Sequence, residues 1–504
     1  MTGLRIGFLN PQGNFDPQDS YWTRHPDFGG QLVYVKNVAI ELARLGHHVD
    51  ILTRQIIDPQ WPEFASKFDA YPGVARVRIV RLPAGPPHFL PKEKLWPHIV
   101  RDWVPNILRF YEDEEDQMPH VFTAHYGDGG LAGVLIEDKT GIPFTFTAHS
   151  LGAQKMDKLG ATRENLAELD KRYHFARRLV AERLSMNRSD VNVVSTRLER
   201  FEQYGHRAYR GAIDVNDDRR FEVIPPGVNL RIFDAHARLP NEERVYRTIE
   251  AYLRRDLAAE RVALPAIIAS SRLDPKKNHL GLVRAFASSP YLQEHANLVL
   301  ITAGLPDPLR DETRATPVER EIIQRIRQIM QEAHLHGKVS AFSLQGQAAL
   351  AAAYRYFSQR RSVFALTALY EPFGLAPLEA AAAGLPVVVT RNGGPLESLR
   401  EGDEEFGILV DPEDPTDIAR GLERLLASPA TWQFYAAKGR QRVLSRYTWK
   451  RTGEGYAALL ASIVRVPHQR RTAALLPIHP YFRDPRPETD VTLEELANLY
   501  FGRS

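Results

Sequence analysis

The sequence predicts an α/β protein made of two domains, each built on a doubly wound parallel sheet. Short apolar runs typical of buried strands alternate with longer segments of helical periodicity along most of the chain. The 504 residues are too many for one hydrophobic core, and a second series of strands begins in the second half of the chain. We therefore expect two α/β domains of similar build.

The first series of predicted strands lies before residue 230. LRIGFLN opens it as a buried strand that ends in a Pro/Gly turn, and the helical segment LVYVKNVAIELARLG follows. The later strands of this series are HHVDILT, VRIVRLP, HVFTAHY, IPFTFTAHS, DVNVVST and FEVI, the last of which ends at a double proline. Strands that alternate with helices in this way predict a parallel sheet.

The second series follows a charged helical stretch over residues 242–261. Its strands are AIIASS, NLVLITAG, KVSAFSL, SVFALTA and LPVVVT. Two amphipathic helices are then predicted within residues 430–466. From Pro467 the chain is rich in proline and arginine, and we expect a tail draped over the surface, with a short helix that Thr492 caps.

Composition excludes several classes of protein. A hydrophobic fraction of 43% with 25% charged residues is that of an ordinary soluble protein, and no apolar run is long enough for a membrane span. The net charge of +3, from 65 basic and 62 acidic residues, gives no argument for nucleic acid. The sequence has no cysteine, and MTGLRIGFLN lacks a signal-peptide pattern. We expect a cytoplasmic protein with no nucleic-acid or membrane partner.

The most informative motif is YEPFGLAPLE, Tyr370–Glu379, which sets Glu371 and Glu379 on either side of a turn. Pro372 and Gly374 favour the turn, and the alanine-rich run behind it predicts a helix whose free N–H groups suit a diphosphate or sugar hydroxyls. Carboxylates accept paired hydrogen bonds from vicinal hydroxyls. Taken alone, an ordinary loop and helix with exposed glutamates explains the segment better.

A second motif, SRLDPKKN, follows the predicted strand at residues 266–270. It places Arg272 and Lys277 at a strand end, where cations commonly meet a phosphorylated ligand in α/β folds. Lys276 and Lys277 on their own would be interpreted as solvated surface charge. The pairing of the two motifs, in this order and at this separation, is similar to that of the retaining glycosyltransferases of the GT4 type.

That resemblance implies the GT-B fold, in which two Rossmann-like domains face a central cleft and a C-terminal helix crosses back to the N-terminal domain. It places an acceptor domain at residues 1–235, a nucleotide-sugar donor domain at 236–440, and terminal helices and a tail that pack back on the N-domain at 441–504. It also implies residue roles. Arg272 and Lys277 neutralise the donor diphosphate, Glu371 contacts the donor hexose and Glu379 holds the ribose. Further donor contacts are implied for Gly30, Phe373, Gly374 and Leu375.

The acceptor side is indicated by Gly29-Gly30-Gln31, which opens a helix after an aromatic loop. Two glycines there let backbone N–H groups approach a ligand, although a tight turn explains them as well. Three further motifs are HYGDGG at 125–130, FTFTAHSLGAQK at 144–155 and RYHFARRLVAER at 172–183. Together with the donor motifs they resemble sucrose-phosphate synthases and their sucrose synthase relatives, over essentially all of the chain to about residue 465.

A phosphorylated acceptor needs cations, because a phosphate is a dianion near neutrality. Lys155 and Arg178 are the candidates, although Lys155 could be a surface lysine and Arg178 could serve an ion pair with Glu182. In the family, the matching pair binds the phosphate of fructose 6-phosphate. Additional acceptor contacts are implied at Gly29, Gln31, Lys92, Tyr126 and Ser150.

His149 ends the strand FTFTAH and is expected to project from the strand end. We predict polar contact with the donor hexose and count His149 with Arg272, Lys277 and Glu371 as the catalytic set. Metal binding is not expected, since no second His or Cys sits at ligand spacing. The acidic run from Asp411 is explained by helix capping at Asp414-Pro415. No cofactor is predicted, and stimulation by Mg²⁺ would not need a site on the protein.

The predicted reaction moves glucose from UDP-glucose or ADP-glucose to fructose 6-phosphate with retention, and family resemblance favours front-face displacement. Transfer to plain fructose, as in sucrose synthase, and a non-catalytic nucleotide-sugar-binding protein remain alternatives. A dinucleotide-dependent oxidoreductase is poorly supported, because no GxGxxG follows the first strand. Backbone contacts near residues 342–344 could select uracil or adenine. A separate sucrose-phosphate phosphatase is expected as a partner.

Overall fold

The computed structural model describes residues 3–22 and 27–502. Residue contacts divide the chain into two compact units, one comprising Met1–Pro225 with Thr452–Ser504 and the other Pro226–Arg451. Each unit has its own parallel sheet covered by helices. Among the described residues, no helix combines the length and the apolar character that crossing a membrane requires.

The first unit contains an eight-stranded sheet of order β3-β4-β2-β1-β5-β6-β7-β8. All pairs are parallel except β3 with β4. Between β4 and β7 the strands follow the 3-2-1-4-5-6 order of doubly wound nucleotide-binding folds. The strands are β1 Arg5–Leu9, β2 His48–Arg54, β3 Phe68–Asp69, β4 Val77–Leu82, β5 Val121–His125, β6 Phe144–Thr147, β7 Val191–Val194 and β8 Phe221–Val223.

Eight helices lie between these strands in the described part of the first unit. They are α1 Gly30–Arg44, α2 Trp96–His98, α3 Val104–Arg109, α4 Tyr126–Thr140, α5 Gly152–Lys158, α6 Leu166–Tyr173, α7 Phe175–Arg188 and α8 Arg197–Glu199. The predicted strands of this half are present, as is the predicted first helix. Its sheet is parallel apart from the short edge strand β3, as the alternation of strands and helices predicts.

One helical segment of this unit has no counterpart in the sequence prediction. It spans residues 96–114, where α2 and α3 alternate with wide π-helical turns at Ile99–Trp103 and Phe110–Glu114. Pro97 and Pro105 hide the periodicity, because proline usually stops a helix. Each proline lies in the first turn of its short helix, where no backbone donor is required.

The second unit is built on a six-stranded, wholly parallel sheet of order β11-β10-β9-β12-β13-β16. This is again the doubly wound order, with a reversal between β9 and β12. A small antiparallel hairpin, β14 with β15, lies apart from it. The strands are β9 Ala266–Ser270, β10 Asn297–Thr302, β11 Val339–Ser343, β12 Val363–Leu366, β13 Val387–Thr390, β14 Arg400–Glu401, β15 Glu404–Glu405 and β16 Ile408–Val410.

The helices of the second unit and the end of the chain complete the fold. They are α9 Leu230–Phe233, α10 Glu242–Asp256, α11 His279–Ser288, α12 Pro290–His295, α13 Pro317–Glu332, α14 Gly346–Ser358, α15 Leu375–Ala382, α16 Pro395–Ser398, α17 Pro415–Leu426, α18 Pro429–Arg446, α19 Trp449–Arg465 and α20 Leu493–Phe501. The five strands predicted for this half are confirmed, whereas the short strand β16 was not predicted. Both units thus have the predicted parallel α/β build.

The last long helix, α19, belongs to the first unit from Thr452 onward. Its Tyr456 hydroxyl lies 3.1 Å from the hydroxyl of Tyr34 on α1 and 2.9 Å from Oγ1 of Thr147 at the end of β6. These contacts attach the helix to the carboxyl edge of the first sheet, as the resemblance implies.

The tail after residue 467 is not draped over the surface, so that prediction is wrong. Its apolar side chains enter the core of the first unit, and the buried ones are Ile478, Tyr481, Phe482, Val491, Leu496 and Tyr500. The Tyr500 hydroxyl also donates to Asp157 on α5, at 2.5 Å. The many prolines and arginines concealed this apolar spacing. The predicted cap is confirmed, because Thr492 and Glu495 form a capping box at the start of α20.

We expect the tail to contribute to stability. Leu496 is fully buried, so Leu496→Ala should lower the free energy of unfolding by about 2–5 kcal/mol. Leu493→Ala on the same helix is the matched control, because Leu493 is 41% exposed. Chemical denaturation of both variants checks the prediction, and equal losses would show that the tail does not pack into the core.

Candidate active site

The donor motifs meet at the switch point of the second sheet, where β9 and β12 are neighbours. Loops after adjacent parallel strands share one edge of a sheet, and ligands bind there in doubly wound folds. Several hydrogen bonds join the loops. The N–H of Leu369 donates to the carbonyl of Lys276 at 2.9 Å, and Asn278 Nδ2 donates to the carbonyl of Thr367 at 3.0 Å.

Lys277 and Glu371 are brought into direct contact by this arrangement. Lys277 Nζ lies 2.7 Å from Glu371 Oε2, and the two side chains are 28% and 13% exposed. The backbone of Glu371 is held in turn, because its N–H donates to the carbonyl of Asn392 at 3.0 Å. The ion pair therefore keeps a cation and a carboxylate side by side with both accessible to a ligand.

Arg272 lies on the same loop as Lys277 and is exposed. Within residues 3–22 and 27–502 its side chain makes no ion pair or hydrogen bond. A guanidinium that is not engaged by a carboxylate can bind phosphate oxygens in a fork. The loop after β9 thus presents Arg272 as an available cation and Lys277 as a cation already paired with Glu371.

Glu379 lies in α15, half-buried and with no hydrogen-bond or ion-pair partner among the described residues. Burial raises the pKa of its carboxyl to about 7. The nearby Tyr354 hydroxyl is engaged elsewhere, at 2.5 Å from Oγ of Ser270. Hydroxyl groups of a ligand could donate to the Glu379 carboxylate the hydrogen bonds that the described residues do not provide.

The predicted helix start is also present. Gly374 precedes α15 with φ of 87° and no side chain caps the helix, so its first N–H groups have no side-chain acceptor. Phe373 and Leu375 flank this glycine and are half-buried. The ring of Phe373 packs edge-on against Tyr447, with centroids 6.1 Å apart.

A supporting loop, Asn392-Gly393-Gly394, was missed by the sequence analysis. The N–H of Gly394 donates to the carbonyl of Glu371 at 2.9 Å. Gly393 has φ of 100°, and a Cβ there would lie 2.1 Å from the same carbonyl oxygen. Two adjacent glycines shortly after the strand VVVT, separated from it by Arg391 and Asn392, were the available signal for this close approach.

We expect Gly393→Ala to impair the donor site. The new methyl group meets the Glu371 carbonyl at an impossible distance and has an unfavourable φ, so the Glu371 loop must move. A matched control is Gly402→Ala, which shares a positive φ, 58°, but has open space around it. Calorimetric binding of UDP-glucose checks the prediction, and unchanged affinity in Gly393→Ala would contradict it.

In the first unit, most of the predicted acceptor residues follow three strands that lie side by side, β1, β5 and β6, whereas Lys92 follows β4. Gly29 and Gly30 begin α1 and are exposed. Neither has a positive φ, and a Cβ added at either position would meet no atom within 4 Å. The fold of this unit therefore does not itself require glycine there. The neighbouring Gln31 has a buried Nε2 that lacks a hydrogen-bond partner among the described residues.

Lys155 projects from α5 over the ring of Tyr173, with Nζ 3.9 Å from the ring centroid. No carboxylate forms an ion pair with it in the described part of the chain. Burial lowers the pKa of its ammonium to about 8, and the charges of Arg178, Lys92 and Arg172 add to this effect. The negative charge of Glu93 opposes them, so the ammonium lies in a mixed group of charges in which cations have the larger effect on its pKa.

Arg178 is buried on α7, and its Nε donates to Glu182 Oε1 at 2.8 Å. The ion pair considered from the sequence is therefore present. The same guanidinium reaches the predicted site, because Nη2 donates to the carbonyl of Ser150 at 2.8 Å and the group lies 4.8 Å from the ring centroid of Tyr126. Glu182 stays fully buried and also accepts the N–H of Gly152.

Lys92 forms an ion pair with a carboxylate from the loop before α1, with Nζ 3.0 Å from Asp27 Oδ1. Burial alone would lower the pKa of Lys92, but Tyr126 and Asp27 outweigh it and the pKa is raised. Electrostatic interactions join Lys92 and Arg178 each to Tyr126 and to Lys155. The structure thus gathers these predicted residues, with Ser150, into one cationic group.

His149 follows β6 in a left-handed conformation with φ of 56°. Its Nε2 lies 3.0 Å from Nδ1 of His125, the last residue of β5. The sequence analysis, which considered only histidines at metal-ligand spacing along the chain, did not foresee this contact. The two residues are far apart in sequence, and the register that pairs His125 with Thr147 brings them together. Burial lowers the pKa of His149 to about 3, so its ring is neutral.

The acidic run after Asp411 serves as a helix start, as predicted. Asp414 caps α17 by accepting the N–H of Thr416 at 2.8 Å. Within residues 3–22 and 27–502, no three or more His, Cys, Asp or Glu side chains are grouped so as to hold a metal ion. The absence of a catalytic metal stays a prediction.

Comparisons with known proteins identify the family of the chain. The family model "Glycosyl transferase 4-like domain" matches residues 29–227, and "Glycosyl transferases group 1" matches residues 259–442. A probable sucrose-phosphate synthase from Thermosipho melanesiensis is 40% identical, over 91% of this chain and 96% of that protein. A probable sucrose-phosphate synthase from Solanum tuberosum is 31% identical over 91% of this chain.

The match covers only 47% of the potato protein, so the chain spans about half the length of that relative. Among solved structures, a sucrose-phosphate synthase from Thermosynechococcus elongatus has a TM-score of 0.63 and 25% identity. That match covers 92% of this chain and 99% of the other. The chain belongs to the sucrose-phosphate synthase family of GT-B glycosyltransferases.

Proposed function

We propose that the protein transfers glucose from a nucleotide-glucose, UDP-glucose in the first instance, to fructose 6-phosphate. The products are sucrose 6-phosphate and the free nucleotide, and the α configuration of the glucose is retained. Family membership supports the reaction class. The observation that carries the choice of acceptor is the half-buried ammonium of Lys155, which has no carboxylate ion pair among the described residues and lies among other cations.

The donor contacts are proposed on the residues of the second unit. Arg272 and Lys277 bind the diphosphate, Glu371 the glucose hydroxyls and Glu379 the ribose hydroxyls. The first N–H groups of α15 add uncharged donors, since no side chain occupies them. Among the described residues Lys277 pairs with one carboxylate, that of Glu371, so we expect a diphosphate to share the cation with it.

In the proposed reaction, the C2 hydroxyl of fructose 6-phosphate attacks C1 of glucose on the face from which the diphosphate leaves. The new C1–O bond forms as the C1–O bond to the diphosphate breaks, and the hydroxyl proton passes to a diphosphate oxygen. Arg272 and Lys277 stabilise the negative charge that grows on the leaving group, which is electrostatic catalysis. No carboxylate nucleophile is needed in this scheme.

Acceptor affinity should depend on pH through Lys155. Its pKa is lowered to about 8, so the ammonium loses its proton as the pH rises through that value. The phosphate stays a dianion, because its second pKa is about 6. We expect KM for fructose 6-phosphate to rise between about pH 7.5 and 9.5. Lys155→Arg should flatten that rise, since arginine stays charged, and an equal rise in both proteins would contradict the assignment.

The proposal includes three further points. The reaction is placed in the cytoplasm, it needs no tightly bound metal, and a separate phosphatase acts on the sucrose 6-phosphate. If the reaction needs no tightly bound metal, activity should survive prolonged treatment with EDTA. Complete loss that Mg²⁺ restores would contradict it.

The function is tested by identifying the product. The purified protein is incubated with UDP-glucose or ADP-glucose and with fructose 6-phosphate or fructose, and the sugars are analysed by NMR. We expect α-linked sucrose 6-phosphate from the phosphorylated acceptor. Sucrose from fructose in greater yield would indicate a sucrose synthase, and unchanged donor with tight UDP-glucose binding would indicate a binding protein.

A further inference from the structure

A chain of three side chains runs beneath the left-handed turn at His149. Thr123 Oγ1 lies 3.0 Å from Nε2 of His125, and His125 Nδ1 lies 3.0 Å from Nε2 of His149. Thr123 and His125 are both fully buried, on the same face of β5. The Nε2 atom of His149 therefore forms a hydrogen bond inside the protein, and its Nδ1 atom remains available to a ligand.

Packing fixes both imidazole planes. The ring of His125 stacks on Phe8, with centroids 5.3 Å apart, and meets the ring of His149 edge to edge, with centroids 5.2 Å apart and ring planes inclined by 27°. Tyr34 meets the ring of His149 edge-on at 5.1 Å. A non-glycine residue with positive φ is held in this conformation only when its surroundings over-determine it. The position of His149 is thus built by the protein before any ligand arrives.

Both rings are neutral, because burial lowers the pKa of His125 and of His149 far below the usual range. A neutral imidazole carries one N–H, so two proton arrangements are possible along the chain. In the first, Thr123 donates to Nε2 of His125 and Nδ1–H of His125 donates to Nε2 of His149, so the proton of His149 lies on Nδ1. In the second, Nε2–H of His149 donates to Nδ1 of His125 and Nε2–H of His125 donates to Thr123, so Nδ1 of His149 is unprotonated and can only accept.

The hydroxyl of Thr123 decides between them. Among the described residues, His125 Nε2 is its one side-chain or backbone hydrogen-bond partner. In the second arrangement the hydroxyl accepts, and its own hydrogen is left buried without an acceptor. Because an unsatisfied buried donor is unfavourable, the first arrangement is favoured by about fivefold to 150-fold.

We propose that Thr123 and His125 are positioning residues that lock His149 as the Nδ1–H tautomer, so that it donates a hydrogen bond to a sugar hydroxyl oxygen. This inference rests on the proposed function for its sugar ligand, although the tautomer itself does not. Within the described residues His149 Nδ1 has no partner, and the side chain is half-buried rather than enclosed. A donor at this nitrogen selects for an oxygen acceptor and disfavours a metal ion, which would need a lone pair.

The tautomer is tested first, on the full-length ligand-free protein with ¹⁵N-labelled histidine. Two-bond ¹H–¹⁵N spectra distinguish Nδ1–H from Nε2–H rings, and His149→Gln identifies the signals of His149. We expect the Nδ1–H pattern in the wild type and a shift toward Nε2–H in Thr123→Val. An Nε2–H or doubly protonated His149 in the wild type would overturn the proposal, as would an unchanged tautomer in Thr123→Val.

Kinetics then test the consequence. Thr123→Val should lower kcat for glucose transfer about tenfold, and Thr123→Ser, which keeps the hydroxyl, should restore it. The matched control is Thr145→Val, because Thr145 is fully buried, pairs with Thr123 across the sheet, and has a hydroxyl without a partner among the described residues. Equal losses in both valine variants would mean a structural effect and overturn the proposal. If the wild type transfers no sugar, the proposed function fails while the NMR experiment still decides the tautomer.

Discussion

Replacing Lys277 by alanine should lower kcat for glucose transfer by about 10²–10³ while leaving the fold intact. Lys277 lies in the loop after β9 and pairs with Glu371 at 2.7 Å, so its removal takes away a cation and frees a carboxylate beside the diphosphate. Both changes disfavour the charge that develops on the leaving group. Nucleotide release from UDP-glucose with fructose 6-phosphate measures the effect.

Lys276→Ala is the matched control for this variant. Lys276 lies on the same turn and is exposed, but its side chain makes no ion pair among the described residues. Its loss should change kcat by less than about twofold, because an isolated surface charge contributes little. If the two variants lost activity equally, or if Lys277→Ala kept wild-type kcat, Lys277 would not stabilise the leaving group.

Replacing Lys155 by methionine should impair use of fructose 6-phosphate selectively. The change removes a half-buried ammonium that lies over Tyr173 and near Arg178, and keeps most of the side-chain volume. A hydrogen bond to a charged group is worth about 1.5–3 kcal/mol, so KM for fructose 6-phosphate should rise about 10- to 100-fold. Affinity for UDP-glucose, measured by calorimetry, should not change.

We choose Lys155 rather than Arg178 for this experiment because Arg178 neutralises the fully buried Glu182. Truncating Arg178 would leave a buried charge unpaired and could unfold the protein. Lys158→Met, an exposed lysine on the same helix, is the matched control. A KM that stays within twofold of the wild type in Lys155→Met would remove Lys155 from the acceptor site.

Much of this architecture can be predicted from local sequence. Strands such as Ala266–Ser270 are compact apolar runs, and the residues that follow them must lie at the carboxyl edge of a parallel sheet. The cations and carboxylates of the donor motifs lie there for that reason. Where proline interrupts the pattern, as in residues 96–114 and in the tail, the prediction failed because burial of the apolar face outweighed the local signal.

The parts of the site that the sequence analysis missed depend on contacts between distant segments. His125 meets His149 only through the register of β5 with β6. Gly393 supports Glu371 only because two loops touch at the edge of the second sheet. Motif spacing reports neighbours along the chain, so it identifies the residues that face a ligand and misses those that hold them in place.

The most direct test of the account compares nucleotide release from UDP-glucose with fructose 6-phosphate and with fructose, in the wild type and in Lys155→Met. We expect the wild type to prefer the phosphorylated acceptor strongly, and Lys155→Met to lose that preference while binding UDP-glucose normally. Equal or faster turnover with fructose in the wild type would contradict the phosphate site and the choice of acceptor.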